Sequence, residues 1–460
     1  VISGGGPLIS QLVVLATLPL LFRVYSPVDF GIWATIQAGA IASGSLMTLR
    51  YDLALVVERE SDAANTLFYA VLCIIAAWSA IAGLALGVLN WLVVFPQVGA
   101  GLWCLIWLWT MLTALMVLLQ GWLMRFSAFG VISSATIINT IGSLAIQLGG
   151  AHWIGGTGLV LGSALSQVVA TGFLAYHIVV SGCGPSRAAV NAREMKTSLT
   201  RHVRFPQYSL PFTLMSLIRE RAPIVVVGLF GSPAEVGIYS QAWRLVHFPS
   251  GLTGSAFRPV FFRQAAERGV AGQAAAVDRV IRCLLLVGAP FVALVLFGGD
   301  DLFVFVLGSR WSGVGSLSTL LIFPATLFAI SNWMDRLLDV LGRQDLNLTM
   351  EVFSGLFSVG ALWIGFQLSG GAAFYAVALQ SVVLTASYVV LILICYGAAG
   401  WSRRSLFVSF GLAAAAGVFF YCLMPLLSLI TSRGVSLLIG AVLCSVTAVG
   451  ITLAAWRELR

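Results

Sequence analysis

Charge is what this sequence lacks most. Only 9% of its 460 residues are Asp, Glu, Lys or Arg, while 59% are hydrophobic; an average soluble domain carries roughly 25% charged residues. That scarcity excludes a water-soluble globular fold, because a domain of this size still needs a polar exterior. Cysteine pairs are also missing. The seven cysteines (73, 104, 183, 283, 395, 422 and 444) include no C-x-x-C and mostly sit inside apolar runs. They read as packing residues and carry no redox signature. The four histidines, His152, His177, His202 and His247, have no metal-ligand spacing, so neither a metal nor a cofactor is expected. The period-two alternation of a barrel strand is lacking too, which leaves helices as the spanning form.

What is present is a series of long apolar runs, and a bilayer span needs ~20 such residues. The runs predict an all-α polytopic membrane protein with about fourteen transmembrane helices: 2–24, 30–57, 67–89, 98–122, 129–150, 157–180, 207–230, 237–262, 280–299, 314–341, 346–368, 372–396, 406–430 and 435–456. The first run, Ile2 to Phe22, is read as a membrane helix and not as a cleaved signal peptide. Because the chain starts at Val1, a short leader is expected ahead of it.

The net charge of +8 would suit nucleic acid, but its distribution says otherwise. With the N-terminus inside, nineteen basic residues from Arg50 through Arg187 to Arg460 fall on the cytoplasmic side, against Arg23, Arg310 and Arg433 on the other. This positive-inside bias accounts for the charge without any nucleic acid and places both termini in the cytoplasm.

An internal repeat organises the spans. Ser26-Pro27-Val28-Asp29-Phe30-Gly31-Ile32-Trp33 returns as Ser232-Pro233-Ala234-Glu235-Val236-Gly237-Ile238-Tyr239, 206 residues later. Each copy lies between the first two spans of its half, and Ser-Pro-x-acid is helix-capping chemistry. The expected organisation is an N-terminal six-helix lobe (1–180), a basic cytoplasmic linker (181–206), a C-terminal six-helix lobe (207–396) and two additional helices (397–460). Parallel repeats of this kind build transporters that alternate access to a central site.

Charges within spans are the candidate site, since one at mid-helix costs ~2.5–3.5 kcal/mol on insertion scales. Arg219-Glu220-Arg221 lies mid-way along the seventh span. Either it is a structural ion cluster between helices, or an arginine binds an anion, with a planar fork that matches phosphate oxygens. Arg244, in the eighth span, is a second anion-binding candidate whose bland alternative is snorkelling to an interface. Pro211, Pro223 and Pro249 are expected to kink these two spans. Arg50 and Asp52 lie near the end of the second span, two residues apart and so not facing each other on a helix. They read as a cytoplasmic anchor or as part of the substrate path. Asp335, Asp339 and Glu351 are candidates for ion coupling, with interfacial anchoring as the competing role; Arg336 can reach Asp339. Trp103, Trp107 and Trp109 read as lipid-facing or interfacial belt residues.

Several segments resemble Wzx-type polysaccharide flippases, within the multidrug/oligosaccharidyl-lipid/polysaccharide exporter superfamily. They are Gln11 to Val57, with Leu-Phe-Arg-Val-Tyr-Ser-Pro-Val-Asp-Phe-Gly and Leu-Arg-Tyr-Asp-Leu-Ala-Leu; Gly237-Ile-Tyr-Ser-Gln-Ala-Trp-Arg-Leu with Pro249; Leu307-Gly-Ser-Arg-Trp311; and Gly342-Arg343. The resemblance implies two six-helix lobes plus two helices. It implies flipping of an undecaprenyl-diphosphate-linked oligosaccharide across a bacterial inner membrane for O-antigen, capsule or exopolysaccharide assembly. Its partners would be the lipid-linked substrate, the bilayer, and a polysaccharide polymerase with its assembly proteins; no catalysis is implied. Rival readings are a multidrug or cation-coupled exporter, disfavoured by the absence of any acid between Ile2 and Phe22, and a peptidoglycan-precursor flippase. A membrane glycosyltransferase or polymerase needs external acids, and Asp300-Asp301 is the one acidic pair on that side.

Overall fold

Long apolar runs with internally satisfied backbones fold into helices. In the computed structural model, which describes residues 5–91, 100–186, 191–430 and 433–459, every extended element among the described residues is helical. In chain order these are α1 (Gly5–Val24), α2 (Pro27–Met47), α3 (Tyr51–Val57), α4 (Ser61–Trp91), α5 (Ala100–Arg125), α6 (Phe129–Ile154), α7 (Thr157–Val180) and α8 (Ala192–Arg201). They continue with α9 (Leu210–Phe230), α10 (Pro233–Arg268), α11 (Ala274–Leu307, broken at Gly299), α12 (Val314–Val340), α13 (Gln344–Leu368), α14 (Ala373–Ala399), α15 (Arg403–Ile430) and α16 (Arg433–Leu459).

The fourteen expected spans each have a helical counterpart, with α2 and α3 sharing the second; α8 is an extra amphipathic helix within the basic stretch. Among the described residues nine helices are long and apolar enough to cross a bilayer, and α2 with α3 makes a tenth as a pair bent by 51°. The apolar parts of α1 and α16 are shorter. In α9 the obstacle is three consecutive charges, Arg219 to Arg221. Arg187 and Arg460, counted above among the cytoplasmic basic residues, lie outside the described residues.

The chain forms two compact units, Val1–Val225 and Val226–Arg460. In the first, α5 packs against α2, α3, α4 and α7, and α6 pairs with α7. Leu55, Leu67, Val71, Leu118, Trp122 and Leu174 form its core. Gly44 and Gly121 set how closely α5 approaches. A Cβ on Gly44 would fall 2.8 Å from the Thr110 carbonyl, and one on Gly121 would fall 2.9 Å from the Asp52 carbonyl; small residues permit such backbone contact in membrane proteins. The basic stretch belongs to this unit. Trp122 Nε1 donates to the Cys183 carbonyl (2.8 Å), Tyr69 Oη to that of Pro185 (2.9 Å) and Tyr51 Oη to that of Leu199 (3.2 Å).

In the second unit α12 packs against α10, α11 and α14, and α11 carries α15 and α16. Its core centres on Ile281, Trp333, Met334, Leu337, Leu384 and Ile392. Pro324 in α12 has no N–H to give the carbonyl four residues back. That carbonyl, of Leu320, accepts from Ser381 Oγ on α14 instead. Asp300 follows the break in α11, and its Oδ1 accepts from the N–H groups of Gly313 and Gly315 (2.8 Å each), at the start of α12. One acid of the Asp300-Asp301 pair is therefore a helix cap.

The repeat is visible as chemistry. Ser26 and Ser232 each accept from the N–H three residues on (3.3 Å), while Asp29 and Glu235 accept from the serine N–H groups at 2.9 and 2.6 Å. These are two full capping boxes ahead of α2 and α10. Seven residues after each serine an aromatic is buried with its polar tip bonded to the sixth span of the same half. Trp33 Nε1 donates to Ser163 Oγ on α7 (2.9 Å), and Tyr239 Oη to Gln380 Oε1 on α14 (3.0 Å).

Two local expectations need correction. The tryptophans of α5 do not form a lipid-facing belt: Trp109 is buried, and Trp107 Nε1 donates to the Ser79 carbonyl on α4 (2.8 Å). A helix carrying indoles on several faces cannot turn them all outward. Nor do all the cysteines pack inside, since Cys73, Cys104 and Cys422 are exposed while Cys395 and Cys444 are buried; a thiol is apolar enough for a lipid-facing surface.

Candidate transport site

The charges of α9 begin with the backbone that leads into it. Phe205–Ser209 forms a π-turn, with Pro206 in its first turn and Pro211 just beyond. Pro223 inside α9 cannot bond to the carbonyl four residues back, which is that of Arg219. At this loosened turn Arg219 is 8% exposed and its Nη2 lies 3.5 Å from Glu220 Oε1. The pairing is lopsided: the glutamate side chain is 46% exposed while the guanidinium is buried. Arg221 is partly buried, and its Nε is enclosed with no hydrogen-bond acceptor among the described residues. A neighbour in sequence can soften one guanidinium only, because successive helical residues point ~100° apart. These three residues belong to the first unit. Arg244, half-buried in α10, belongs to the second.

Arg50 and Asp52 do face each other, contrary to the expectation for two residues apart on a helix. The helix has stopped: Leu49 (φ 48°) and Arg50 (φ 63°) are left-handed, and α3 restarts at Tyr51. Across that bend Arg50 Nη1 comes within 3.7 Å of Asp52 Oδ2, and Thr48 Oγ1 donates to Asp52 Oδ1 at 2.7 Å. Asp52 is 6% exposed, pressed by its backbone against Gly121 of α5. Non-glycine residues adopt this conformation at a cost of roughly 1–2 kcal/mol each, so the buried acid and its two partners are what hold the break.

The ion-coupling candidates separate in the second unit. Asp339 accepts from Arg336 Nη1 (2.8 Å) and from Asn347 Nδ2 (3.4 Å) at the end of α12, an anchoring arrangement. Asp335, one turn earlier, and Glu351 in α13 are half-buried.

Two polar clusters escaped the sequence. Glu58, at the α3–α4 turn, takes His202 Nε2 at 2.9 Å and Arg201 Nη1 at 3.6 Å, while the Arg125 guanidinium donates to its carbonyl. Burial alone would raise this carboxyl. The Glu60 N–H, the His202 ring and the Arg201 charge together outweigh it and hold the group below its ordinary value. In the second unit Tyr396 Oη donates to Asp278 Oδ1 at 2.5 Å. The partners are 144 and 118 residues apart, and no local pattern announces them.

Against this geometry, comparison with known proteins is informative. A family model described as polysaccharide biosynthesis protein matches residues 20–316. The chain belongs to that family. A curated relative, a probable low-salt glycan biosynthesis flippase of Haloferax volcanii, is 22% identical over 273 residues, covering 56% of this chain. The chain spans 57% of that relative's length. Among solved structures, the lipid II flippase MurJ in an inward closed conformation matches with TM-score 0.74 at 12% identity, over 99% of both chains. An inward-facing multidrug resistance transporter of the MATE family matches with TM-score 0.65 at 14% identity, over 85% of this chain and 98% of its own. At these identities the likeness establishes a shared fold.

Proposed function

We propose that this polysaccharide biosynthesis family member flips an undecaprenyl-diphosphate-linked oligosaccharide across a bacterial inner membrane by alternating access. The observation that carries this reading is Arg219, a guanidinium buried within a span beside the exposed carboxylate of Glu220. A charged side chain at that depth is costly and marks a functional position, and a diphosphate supplies oxygens that a guanidinium fork engages in pairs. Arg221 and Arg50 in the first unit and Arg244 in the second are the further anion-binding candidates, with Glu220 and Asp52 beside the first two. The family match and the likeness to flippases support a carrier over a catalyst. So does the use of Asp300 as a helix cap, which leaves the external acidic pair without a free catalytic dyad.

In this reading the lobes are 1–180 and 207–396, joined by the basic linker 181–206 and followed by two helices over 397–460, with both termini cytoplasmic. The product feeds O-antigen, capsule or exopolysaccharide assembly through a polymerase and its partners. Where a proton or sodium gradient is used, Asp335, Asp339 and Glu351 are the candidate carriers, with Asp339 held by Arg336 and Asn347.

The test is transbilayer movement of the lipid-linked oligosaccharide in proteoliposomes. Wild type should move it, and Arg219→Ala should slow it at least tenfold, with Arg221→Ala and Arg244→Ala intermediate. Transport of small cations under an ion gradient, with none of the lipid moved, would replace this reading with the exporter.

A further inference from the structure

The second unit carries another cationic feature. Between the α12–α13 turn, helix α14 and the first residue of α15 lies a pocket of ≈ 410 Å³, lined by Arg343, Leu346, Val390, Leu393, Ile394, Gly397, Ala398 and Arg403. Its polar end is built from two arginines held differently. Arg343 is forked onto Asp345, Nε to Oδ1 at 3.3 Å and Nη2 to Oδ2 at 3.5 Å. Arg403 lies over the bare face of Gly397, where an added Cβ would stand 3.1 Å from its Nη2. It makes no ion pair among the described residues. Two guanidinium charges against one carboxylate leave one net positive charge, enough to balance a single phosphodiester.

The rest of the pocket is aliphatic and has a direction. Val390, Leu393, Ile394, Gly397 and Ala398 recur at three- and four-residue steps, so they share one face of α14. That face does not stop at the pocket. Leu379 and Val382 continue it along the helix and are 36% and 65% exposed. At ~1.5 Å per residue the stripe from Leu379 to Ala398 runs roughly 28 Å, more than one leaflet's share, ~15 Å, of the hydrocarbon core. A free inorganic anion would use the arginines and ignore the stripe; an apolar partner helix would use the stripe and leave the arginines unbalanced. Only an amphiphile with an anionic head and an aliphatic tail uses both, and basic pockets between membrane helices bind such headgroups.

We infer that this pocket is a binding site for an anionic phospholipid, its phosphodiester between Arg343 and Arg403 and an acyl chain along the Leu379–Ala398 face of α14. The site is independent of what the chain transports.

The experiment measures binding of phosphatidylglycerol to the full chain in a neutral detergent by native mass spectrometry. Phosphatidylcholine, undecaprenyl phosphate and inorganic phosphate serve as comparison probes. Wild type should retain phosphatidylglycerol in preference to all three. The double variant Arg343→Gln/Arg403→Gln should weaken that binding roughly tenfold. Val390→Trp, which fills the apolar end without altering charge, should weaken it as well. Both variants replace exposed side chains, and an unchanged melting temperature in lipid-free detergent confirms that they fold. Phosphatidylglycerol binding unchanged in both variants would overturn the assignment. So would equal binding of phosphatidylcholine, tighter binding of undecaprenyl phosphate, or displacement of the lipid by inorganic phosphate at comparable concentration.

Discussion

The second spans of the two halves begin alike and end differently. α2 and α10 start from the same capping box and bury an aromatic at the same place, Trp33 or Tyr239. Thereafter α2 stops at Met47, two left-handed residues intervene, and α3 leaves at 51°. α10 runs on for 36 residues, through Pro249. Proline was the expected cause of breaks, yet the sharply bent span contains none between Val28 and Val57. What separates the two is a buried acid. Asp52 gathers Thr48 and Arg50 across the bend and lies where Gly121 allows backbone contact. A helix break here is therefore a tertiary property of the first unit, and the repeat governs only how each span starts.

That comparison can be broken most directly at its closest contacts. Gly121→Ala drives a Cβ against the Asp52 carbonyl, which is backbone and cannot rotate away; a loss of about 1–3 kcal/mol is expected. Gly254→Ala, at the α10–α12 contact, first meets the side chain of Asn332, which can swing aside at the expense of its bond to the Ser250 carbonyl. It should cost about 1 kcal/mol. Thermal unfolding of both variants in detergent reads the difference, and equal losses would refute the view that backbone proximity sets the first unit apart.

The shared beginnings sharpen the comparison at a smaller scale. Ser26→Ala and Ser232→Ala should each lower stability by about 1 kcal/mol. The Ser26 change should cost more, because its box is partly buried and that of Ser232 is exposed. A destabilisation confined to one of the two would mean that the repeat is no longer equivalent in energy.

The smallest effect concerns how the turn after each second span is secured. In the first unit the tie is ionic, Glu58 with His202 and Arg201; in the second, Trp401 Nε1 donates to the Val270 carbonyl at 3.3 Å. The Glu58 carboxyl sits below its ordinary value in the folded chain, so its contribution is complete above the unfolded value. It is lost as pH falls through the lower, folded one. Melting curves from pH 7 to about pH 3 should show wild type and Glu58→Gln converging at the acid end. The difference at neutral pH should be at most about 1 kcal/mol, since Arg201 is mostly exposed. Trp401→Phe should lower stability by a similar amount at every pH, and a pH-dependent deficit there would erase the contrast.

Much of the fold was legible in the residues. Fourteen apolar runs became fifteen helices, the second run dividing into α2 and α3, and Ser-Pro-x-acid became two capping boxes, because hydropathy and capping act over one helix or one turn. The candidate site was legible only as a set of residue types. Arg219, Glu220 and Arg221 stood out because charge in a span is rare, and Arg336 reaches Asp339 as its three-residue spacing requires. The meeting of Arg50 with Asp52 was not legible, because spacing rules assume a continuous helix. Trp109 gave no sign of burial either, since an indole suits lipid and protein alike.

The sequence by itself determined that the chain is helical, spans a bilayer many times and repeats its opening motif; each of these follows from the free energy of single residues in lipid or of single helix ends. Tertiary structure alone decided where the second span breaks, which arginine of α9 is buried and to which unit the basic stretch is tied. Those outcomes depend on groups far apart in the chain, an acid against a glycine 69 residues on or a histidine against Glu58, and no local pattern carries information about a contact that only packing creates.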